Sequence, residues 1–157
     1  MGMLIVDHQF AAYFLALIKQ SVKEICISTF KIEKSDKPRG KIMKEILDAL
    51  LEKNSQGVKI KMLFNWHDDK KSIARTNEPV GRFLKAKNIE VKHLKNNRCC
   101  HAKTIISDGN RAIVGSHNLS CRSLMNNFEI SYLISEPVEV ETLRTVFMHT
   151  WQDAKKF

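Results

Sequence analysis

Residues 10–94 alternate between two apolar patterns, and this alternation constrains the fold more than any other feature of the sequence. Residues 10–22 and 42–53 carry apolar side chains at helical spacing, which predicts two amphipathic helices. Residues 24–32 and 58–65 are rich in apolar and β-branched side chains, with the alternation of strands. Helices interleaved with strands in this way indicate an α/β fold built on a layered sheet.

The remaining segments extend the same pattern. Pro79 suits the first turn of a helix over 80–87, and Pro137 starts a last helix with an apolar inner face. Further strands are predicted over 89–94, 104–107, 112–114 and 129–135. The predicted order of elements is therefore α-β-α-β-α-β-β-β-β-α, within a single domain of residues 1–157.

The chain is basic, because 26 lysines and arginines against 17 aspartates and glutamates give it a net charge of +9. An excess of this size favours a polyanionic partner, either a nucleic acid or an anionic membrane surface. Charge that serves only general solubility explains the composition equally well.

The sequence carries no sign of export. Its longest N-terminal apolar run, residues 10–18, is too short to span a bilayer. No basic segment comes before this run, and no Ala-x-Ala site follows it. The four cysteines form no C-x-x-C pair and no zinc-binding spacing, and the adjacent Cys99 and Cys100 would make a strained disulfide. We therefore expect reduced thiols and a cytoplasmic location.

A hairpin is predicted within residues 101–118. The tripeptide Asp-Gly-Asn at 108–110 tolerates the dihedral angles of a tight turn. The segments 104–107 and 112–114 on either side are apolar or β-branched, as strands require. The two strands would bring the polar residues at their outer ends onto one surface.

Four chemically capable side chains lie at these outer ends. Strand residues alternate between faces, so His101 and Lys103 share a face of the first strand, and Ser116 and Asn118 share a face of the second. An imidazole suits nucleophilic or acid–base chemistry near neutral pH. The other three groups suit a phosphodiester, whose charge must be held while a bond breaks. No carboxylate pair lies beside the histidine, so we expect neither a metal nor another cofactor.

Residues 101–118 resemble the motif of the phospholipase D superfamily. That motif is His-x-Lys-x4-Asp-x6-Gly-Ser-x-Asn, and the sequence has all six specified residues at the required spacing. They are His101, Lys103, Asp108, Gly115, Ser116 and Asn118. The tripeptide at 127–129 resembles the Asn-x-Glu that family members carry shortly afterwards. The resemblance, to the short single-motif nuclease branch, implies a mixed central β-sheet flanked by helices on both faces.

The resemblance also implies a role for each site residue. His101 would attack phosphorus and form a phosphohistidine intermediate, which an activated water then hydrolyses. Lys103 and Asn118 would clamp the non-bridging oxygens, and Ser116 would support the phosphate pocket. Glu129 would orient the nucleophile by accepting its second ring proton, which is the orienting logic of a catalytic triad.

This chain has one copy of the motif where the chemistry needs two. A second group must protonate the leaving oxygen, and in the superfamily that group is a histidine from a second copy of the motif. The resemblance therefore implies a homodimer in which both hairpins meet across a two-fold axis. Asp108 has the opposite strand parity to His101, so we expect it to be structural or to lie at an interface.

Basic residues ahead of the motif are the best candidates for a track along a phosphate backbone, with scattered surface charge as the alternative. They are Lys85, Lys92, Lys95 and Arg98. Trp66, after the strand over 58–65, is a candidate to stack on a base, and anchoring of the core is an equally good interpretation. The His-Asp-Asp triplet at 67–69 favours a solvated turn over a metal site.

Three functions fit the sequence. The first is a metal-independent phosphodiesterase, most simply an endonuclease that hydrolyses DNA or RNA. The second is a hydrolase of anionic phospholipids such as cardiolipin, which the lack of a membrane anchor disfavours. The third is a nucleic-acid-binding module without turnover, against which the intact His, Lys, Asn and Glu set argues. A further domain or partner is expected if the chain is part of a larger protein.

Overall fold

The computed structural model describes residues 2–34, 40–66 and 73–157. Within them the strands are β1 (Met3–Val6), β2 (Glu24–Thr29), β3 (Lys59–Phe64), β4 (Glu90–His93), β5 (Thr104–Ser107), β6 (Arg111–Gly115), β7 (Ile130–Ile134) and β8 (Lys155–Lys156). The helices are α1 (Gln9–Gln20), α2 (Lys41–Ser55), α3 (Ile73–Ala86), α4 (Cys121–Met125) and α5 (Pro137–Asp153).

These strands form one mixed sheet in the order β1-β7-β6-β5-β2-β3-β4-β8. The strands β2, β3 and β4 are parallel, because a helix carries the chain back between each of them. All other neighbours in the sheet pair antiparallel. The predicted α/β fold with a mixed central sheet is confirmed.

Apolar cores cover both faces of the sheet. On one face Ile25 and Ile27 of β2 lie in a core with α1, α2 and α3. On the other face Cys26 of β2 lies in a core with Phe147 and Trp151 of α5. Neighbouring residues of one strand thus serve opposite cores, as strand geometry requires. The expectation of helices on both faces is also confirmed.

The structure corrects the predicted boundary of α3. This helix begins at Ile73, so the expectation that Pro79 lies in its first turn is wrong. Proline removes one backbone hydrogen bond inside a helix. The helix continues past it because Val80 and Leu84 of its second half are buried in the core.

The strands β1 and β8 lie at the two edges of the sheet, and the sequence pattern predicted neither of them. Residues 3–6 are a short run without alternation, and residues 155–156 are two lysines, so neither carries a strand signal. Among the helices within the described residues, none is both long and apolar enough to cross a membrane.

The hairpin predicted within residues 101–118 is formed by β5 and β6. Thr104 pairs with Val114, and Ser107 pairs with Arg111. The turn residues Asp108 and Gly109 have φ angles of 52° and 66°, in the left-handed region that these two residue types tolerate best.

Candidate active site

Four of the predicted site residues, His101, Lys103, Ser116 and Asn118, lie at the open end of this hairpin. The register places Ser28 beside Thr104, and Thr104 beside Val114. The end of β2, the start of β5 and the end of β6 are therefore neighbours. The four polar residues of the motif lie one to three residues beyond these strand ends, so the expectation that they sit on the strands themselves is corrected.

The structure brings His101 and Lys103 together. The Lys103 ammonium donates to the main-chain carbonyl of His101 at 2.6 Å, and the imidazole of His101 is exposed. Both side chains lie against the ring of Phe30, which follows β2. The ring centroids of Phe30 and His101 are 4.8 Å apart, and Lys103 Nζ lies 5.2 Å from the Phe30 centroid.

Ser116 and Glu129 form a second part of the site. The Ser116 hydroxyl donates a short hydrogen bond to the Glu129 carboxylate and accepts one from the backbone N–H of Ile130 at 3.1 Å. Ser123 and Asn127 also donate to Glu129, at 2.7 and 3.0 Å. Three side-chain donors therefore fix this carboxylate.

Burial and hydrogen bonding set the charge of these groups. Burial raises the pKa of Glu129, but the hydrogen bonds from Ser116, Asn127 and Ser123 outweigh it, so the pKa lies below its ordinary value of 4.5. Burial also lowers the pKa of the Lys103 ammonium from 10.5, against the opposing effect of nearby negative groups that include Glu129. The site thus holds a carboxylate within electrostatic reach of an ammonium.

Glu129 makes no hydrogen bond to the imidazole of His101 among the residues that the structure describes. Its carboxylate oxygens are occupied by the three donors named above. The contact through which Glu129 was expected to orient His101 is therefore not formed within this part of the chain, and the orienting role stays a prediction.

Asn118 is fixed by backbone contacts. Its side-chain oxygen accepts a hydrogen bond from the backbone N–H of Lys31 at 3.1 Å, and its own backbone N–H donates to Ser123 Oγ at 2.8 Å. The bonded oxygen fixes the orientation of the amide, whose Nδ2 is the group that can donate to an oxyanion.

His117 lies between Ser116 and Asn118 but points into the protein, and it is only 1% exposed. Its ring stacks on Phe10 with centroids 4.2 Å apart. Its Nδ1 lies 2.7 Å from the hydroxyl of Ser131, its Nε2 lies 2.9 Å from a backbone carbonyl, and burial lowers its pKa. This contact could not be predicted from the sequence, because the motif leaves position 117 unspecified.

Gly115 owes its identity to a close approach of two strands. A Cβ atom on Gly115 would lie 2.1 Å from Ser131 Oγ and 2.4 Å from Ser131 Cα. Backbone cannot move aside as a flexible side chain can, so a larger residue would push β6 away from β7. The glycine of the motif therefore allows β6 to lie close to β7, and this places Ser116, the next residue.

Asp108 lies at the closed end of the hairpin, four residues or about 13 Å along β5 from Thr104. Its carboxylate accepts hydrogen bonds from the backbone N–H groups of Val22, Lys23 and Glu24 at 2.9, 2.8 and 2.9 Å. These contacts tie the hairpin turn to the segment between α1 and β2. Asp108 is therefore separate from the other site residues. Its contacts are structural, as was expected from its position on the opposite face of the strand to His101.

Three of the four basic residues proposed for a nucleic-acid track make other contacts. Lys85 and Lys92 donate to main-chain carbonyls of C-terminal residues at 2.7 and 2.8 Å, and Lys95 pairs with a carboxylate at the end of α5 at 2.7 Å. Arg98 is exposed and lines a pocket of about 240 Å³ near the start of β5. Trp66 is partly buried against two aromatic rings, which favours its interpretation as a core anchor.

The sequence also led to predictions about metal ligands and about the cysteines. No group of three or more His, Cys, Asp or Glu side chains is placed to hold a metal ion among the described residues, and the triplet at 67–69 lies outside them. None of the four cysteines, all of which lie within the described residues, forms a disulfide. Burial raises the pKa of the Cys100 thiol to about 11, which suits a packing role beside His101.

Comparison with known proteins identifies the family. Residues 14–151 match the family described as cardiolipin synthase, PLD-like domain. Nuc from Salmonella typhimurium, a phospholipase D family member, has a similar structure with a TM-score of 0.80 and 17% identity, over 100% of this chain and 99% of that one. NucT from Helicobacter pylori has a TM-score of 0.79 and 16% identity, over 100% and 99%.

A third similar structure is TrmBL2, an archaeal chromatin protein for which a novel mode of DNA binding is described. It has a TM-score of 0.64 and 17% identity, over 98% of this chain and 53% of that one. Among curated proteins, none matches this chain by sequence. With His101, Lys103, Ser116 and Asn118 of the motif at one end of a sheet of this fold, and a family match over most of its length, the chain belongs to the phospholipase D-like family.

Proposed function

We propose that this protein is a phosphodiesterase that hydrolyses nucleic acid through a phosphohistidine intermediate. The observation that carries the proposal is the exposed His101 at the open end of the hairpin, whose main-chain carbonyl accepts a hydrogen bond from the Lys103 ammonium and whose imidazole lies against the same Phe30 ring as that ammonium. The net charge of +9 supports a polyanionic substrate over a neutral one.

The proposed reaction has two displacements. In the first, the imidazole of His101 attacks phosphorus, the bond to the leaving oxygen breaks, and a second histidine gives that oxygen its proton. In the second, the same histidine takes a proton from water, which attacks phosphorus and breaks the phosphorus–nitrogen bond. Lys103 and the Nδ2 group of Asn118 hold the non-bridging oxygens as negative charge develops.

The second histidine comes, in this proposal, from another copy of the chain. An exposed apolar surface beside the site supports such an assembly. We name it the β7 surface, and it consists of Leu4, Val114, Phe128, Ile130 and Tyr132. Tyr132 pairs with Leu4 on one side and with Val114 on the other, and the residues on either side of Glu129 belong to it. A two-fold axis would bring the same surface of two copies together.

Nuclease assays in excess EDTA test the proposed function. Single- and double-stranded DNA and RNA are the substrates, with His101→Ala as the test variant and His149→Ala, which removes an exposed histidine of α5, as the matched control. We expect the wild type and His149→Ala to cleave at equal rates and His101→Ala to lose about 10³-fold or more. Cleavage by His101→Ala at the wild-type rate would contradict the proposal.

A phospholipid is the second candidate substrate, because the matching family is described as cardiolipin synthase. The same two displacements would then act on a headgroup phosphodiester. Vesicles that contain cardiolipin, incubated with the same three proteins, separate the two candidates. Release of headgroup by the wild type, without any cleavage of nucleic acid, would replace the first candidate with the second.

A further inference from the structure

We propose that Phe30 is a positioning residue that fixes the orientation of both His101 and Lys103, and that the buried amide of Asn77 holds Phe30 in place. What the proposal predicts for turnover rests on the proposed function. The contacts that define it are properties of the fold and are measurable without a substrate.

The ring of Phe30 limits the movement of His101. The imidazole is exposed and has no hydrogen bond from its ring to any described residue, so hydrogen bonding within this part of the chain leaves several rotamers open to it. The described contact on its ring is Phe30, at 4.8 Å between centroids and 56° between planes. A flat side chain in this place blocks one side of the imidazole.

The same ring also holds Lys103. Its ammonium lies 5.2 Å from the Phe30 centroid, within the range of a cation–π contact. Since Lys103 also donates to the carbonyl of His101, a single aromatic ring touches both of the groups that the proposed reaction needs nearest to phosphorus.

Asn77 fixes the backbone that carries Phe30. This residue of α3 is fully buried. Its Nδ2 donates to the carbonyl of Phe30 at 2.9 Å, and its Oδ1 accepts from the backbone N–H of Ile32 at 2.9 Å. The chain leaving β2 is therefore clamped on both sides of Lys31, whose own N–H is bound by the side chain of Asn118.

Through Asn65, the amide of Asn77 is also linked to Cys100, which precedes His101. Asn77 Nδ2 also donates to the carbonyl of Asn65 at 2.7 Å, and the side-chain oxygen of Asn65 accepts from the backbone N–H of Cys100 at 3.2 Å. One buried asparagine, Asn77, therefore links the segment before His101 to the backbone that carries the Phe30 ring. Relative movement of the two would break hydrogen bonds in the interior, where no water replaces them.

Orientation of the imidazole matters because attack on phosphorus requires alignment of the attacking nitrogen with the breaking bond. A leucine in place of Phe30 keeps an apolar side chain but loses the flat face and the negative ring face that attracts an ammonium. Binding of substrate by its phosphate oxygens would change little. The proposal therefore predicts an effect on kcat rather than on KM.

The first experiment compares Phe30→Leu with Phe30→Tyr and with Phe83→Leu on the best nucleic-acid substrate. Phe83 is the matched control, because a lysine also lies over its ring, at 4.3 Å, while its described ring contacts include no site residue. We expect Phe30→Leu to lower kcat by about 10²-fold with KM unchanged, and Phe30→Tyr and Phe83→Leu to stay near the wild type. Wild-type kcat in Phe30→Leu, or a loss that Phe30→Tyr fails to restore, would overturn the proposal.

The second experiment records the imidazole proton resonances of the free protein, with His101→Gln used for assignment. We expect Phe30→Leu to move the His101 signal, through loss of the ring current, and to leave the His149 signal in place. A moved His101 signal in a protein that cleaves no substrate would support the positioning role and contradict the proposed function. An unmoved signal would overturn the positioning role, whether or not the wild type is active.

Discussion

At the scale of single residues, Glu129 shows how a buried carboxylate stays charged. Three side-chain donors converge on it, and they hold its pKa below 4.5 although burial acts in the opposite direction. A glutamine has the same shape, but it lacks the charge and presents an amide group to donors that need acceptors. Substitution therefore tests the hydrogen-bonded cluster without opening a cavity.

We expect Glu129→Gln to lower the free energy of unfolding at pH 7 by about 1–3 kcal/mol. Because the folded-state pKa is depressed, the contribution of the charge is fully present above the unfolded value, near 4.5, and is lost as the pH falls through the folded value. Urea unfolding of both proteins at a series of pH values from 7 to 3 measures this difference. A difference that does not shrink below pH 4.5 would show that charge is not its source.

The residues that sequence alone identified are those with fixed spacing. His101, Lys103, Ser116 and Asn118 were found because a motif specifies them and a turn signal lies between them. Phe30 and Asn77 were not, because they are far from the motif in sequence. Their contacts exist only once the sheet has assembled, and no local periodicity records such contacts.

At the scale of elements, the β5–β6 hairpin is fastened to the rest of the sheet at its closed end. Asp108 accepts three backbone N–H groups from the segment that enters β2. These bonds hold the pKa of Asp108 below its ordinary value, against the effect of burial. The aspartate of the motif thus fastens one end of the hairpin and lies away from His101 and Lys103.

We expect Asp108→Ala to lower the free energy of unfolding by about 1–3 kcal/mol, since three backbone donors lose a charged acceptor. Activity per folded molecule should stay within about two-fold of the wild type, because no site contact is removed. Asp48→Ala is the control, since Asp48 is an exposed partner in an ion pair of α2 and its loss should cost little. A large loss of kcat in folded Asp108→Ala would instead give this residue a part in the chemistry.

The boundaries of helices and strands were predictable where the sequence periodicity is strong. They were not predictable where contact with a neighbouring element determines the local structure. The strands β5 and β6 lie where turn chemistry and β-branched residues predicted them. Residues 3–6 are a strand because β7 offers them a partner, which a four-residue apolar run does not reveal. The helix α3 passes through Pro79 because core packing outweighs the lost hydrogen bond.

At the scale of the whole molecule, the arrangement of helices leaves the β7 surface uncovered. Ile134 of β7 packs with the α5 core, whereas Tyr132, two residues earlier on the same face, is exposed. Phe128 is 79% exposed and Leu4 is 58% exposed. Apolar residues grouped in this way beside the candidate site are what the proposed dimer would bury.

We expect Tyr132→Glu to give a monomer, because a two-fold interface would place the two new carboxylates close together. Nuclease activity should fall with the dimer population, since in the proposed mechanism each site uses a histidine from both copies. Val22→Glu is the control, as Val22 is an exposed apolar residue at the closed end of the hairpin. Sedimentation velocity over a range of concentrations measures the assembly, and a wild type that is active as a monomer would contradict the expectation.

The length of β5 explains the spacing between two residues of the family motif, Lys103 and Asp108. Four strand residues separate the end that carries Lys103 from the end that carries Asp108, so the spacing between these two is the length of one strand. An added residue would turn every following side chain to the other face, and would displace either the hydrogen bonds of Asp108 or the site residues. The spacing of the motif is therefore also a requirement of the sheet, and we expect an insertion in β5 to destabilise the fold even in a variant whose histidine has been replaced.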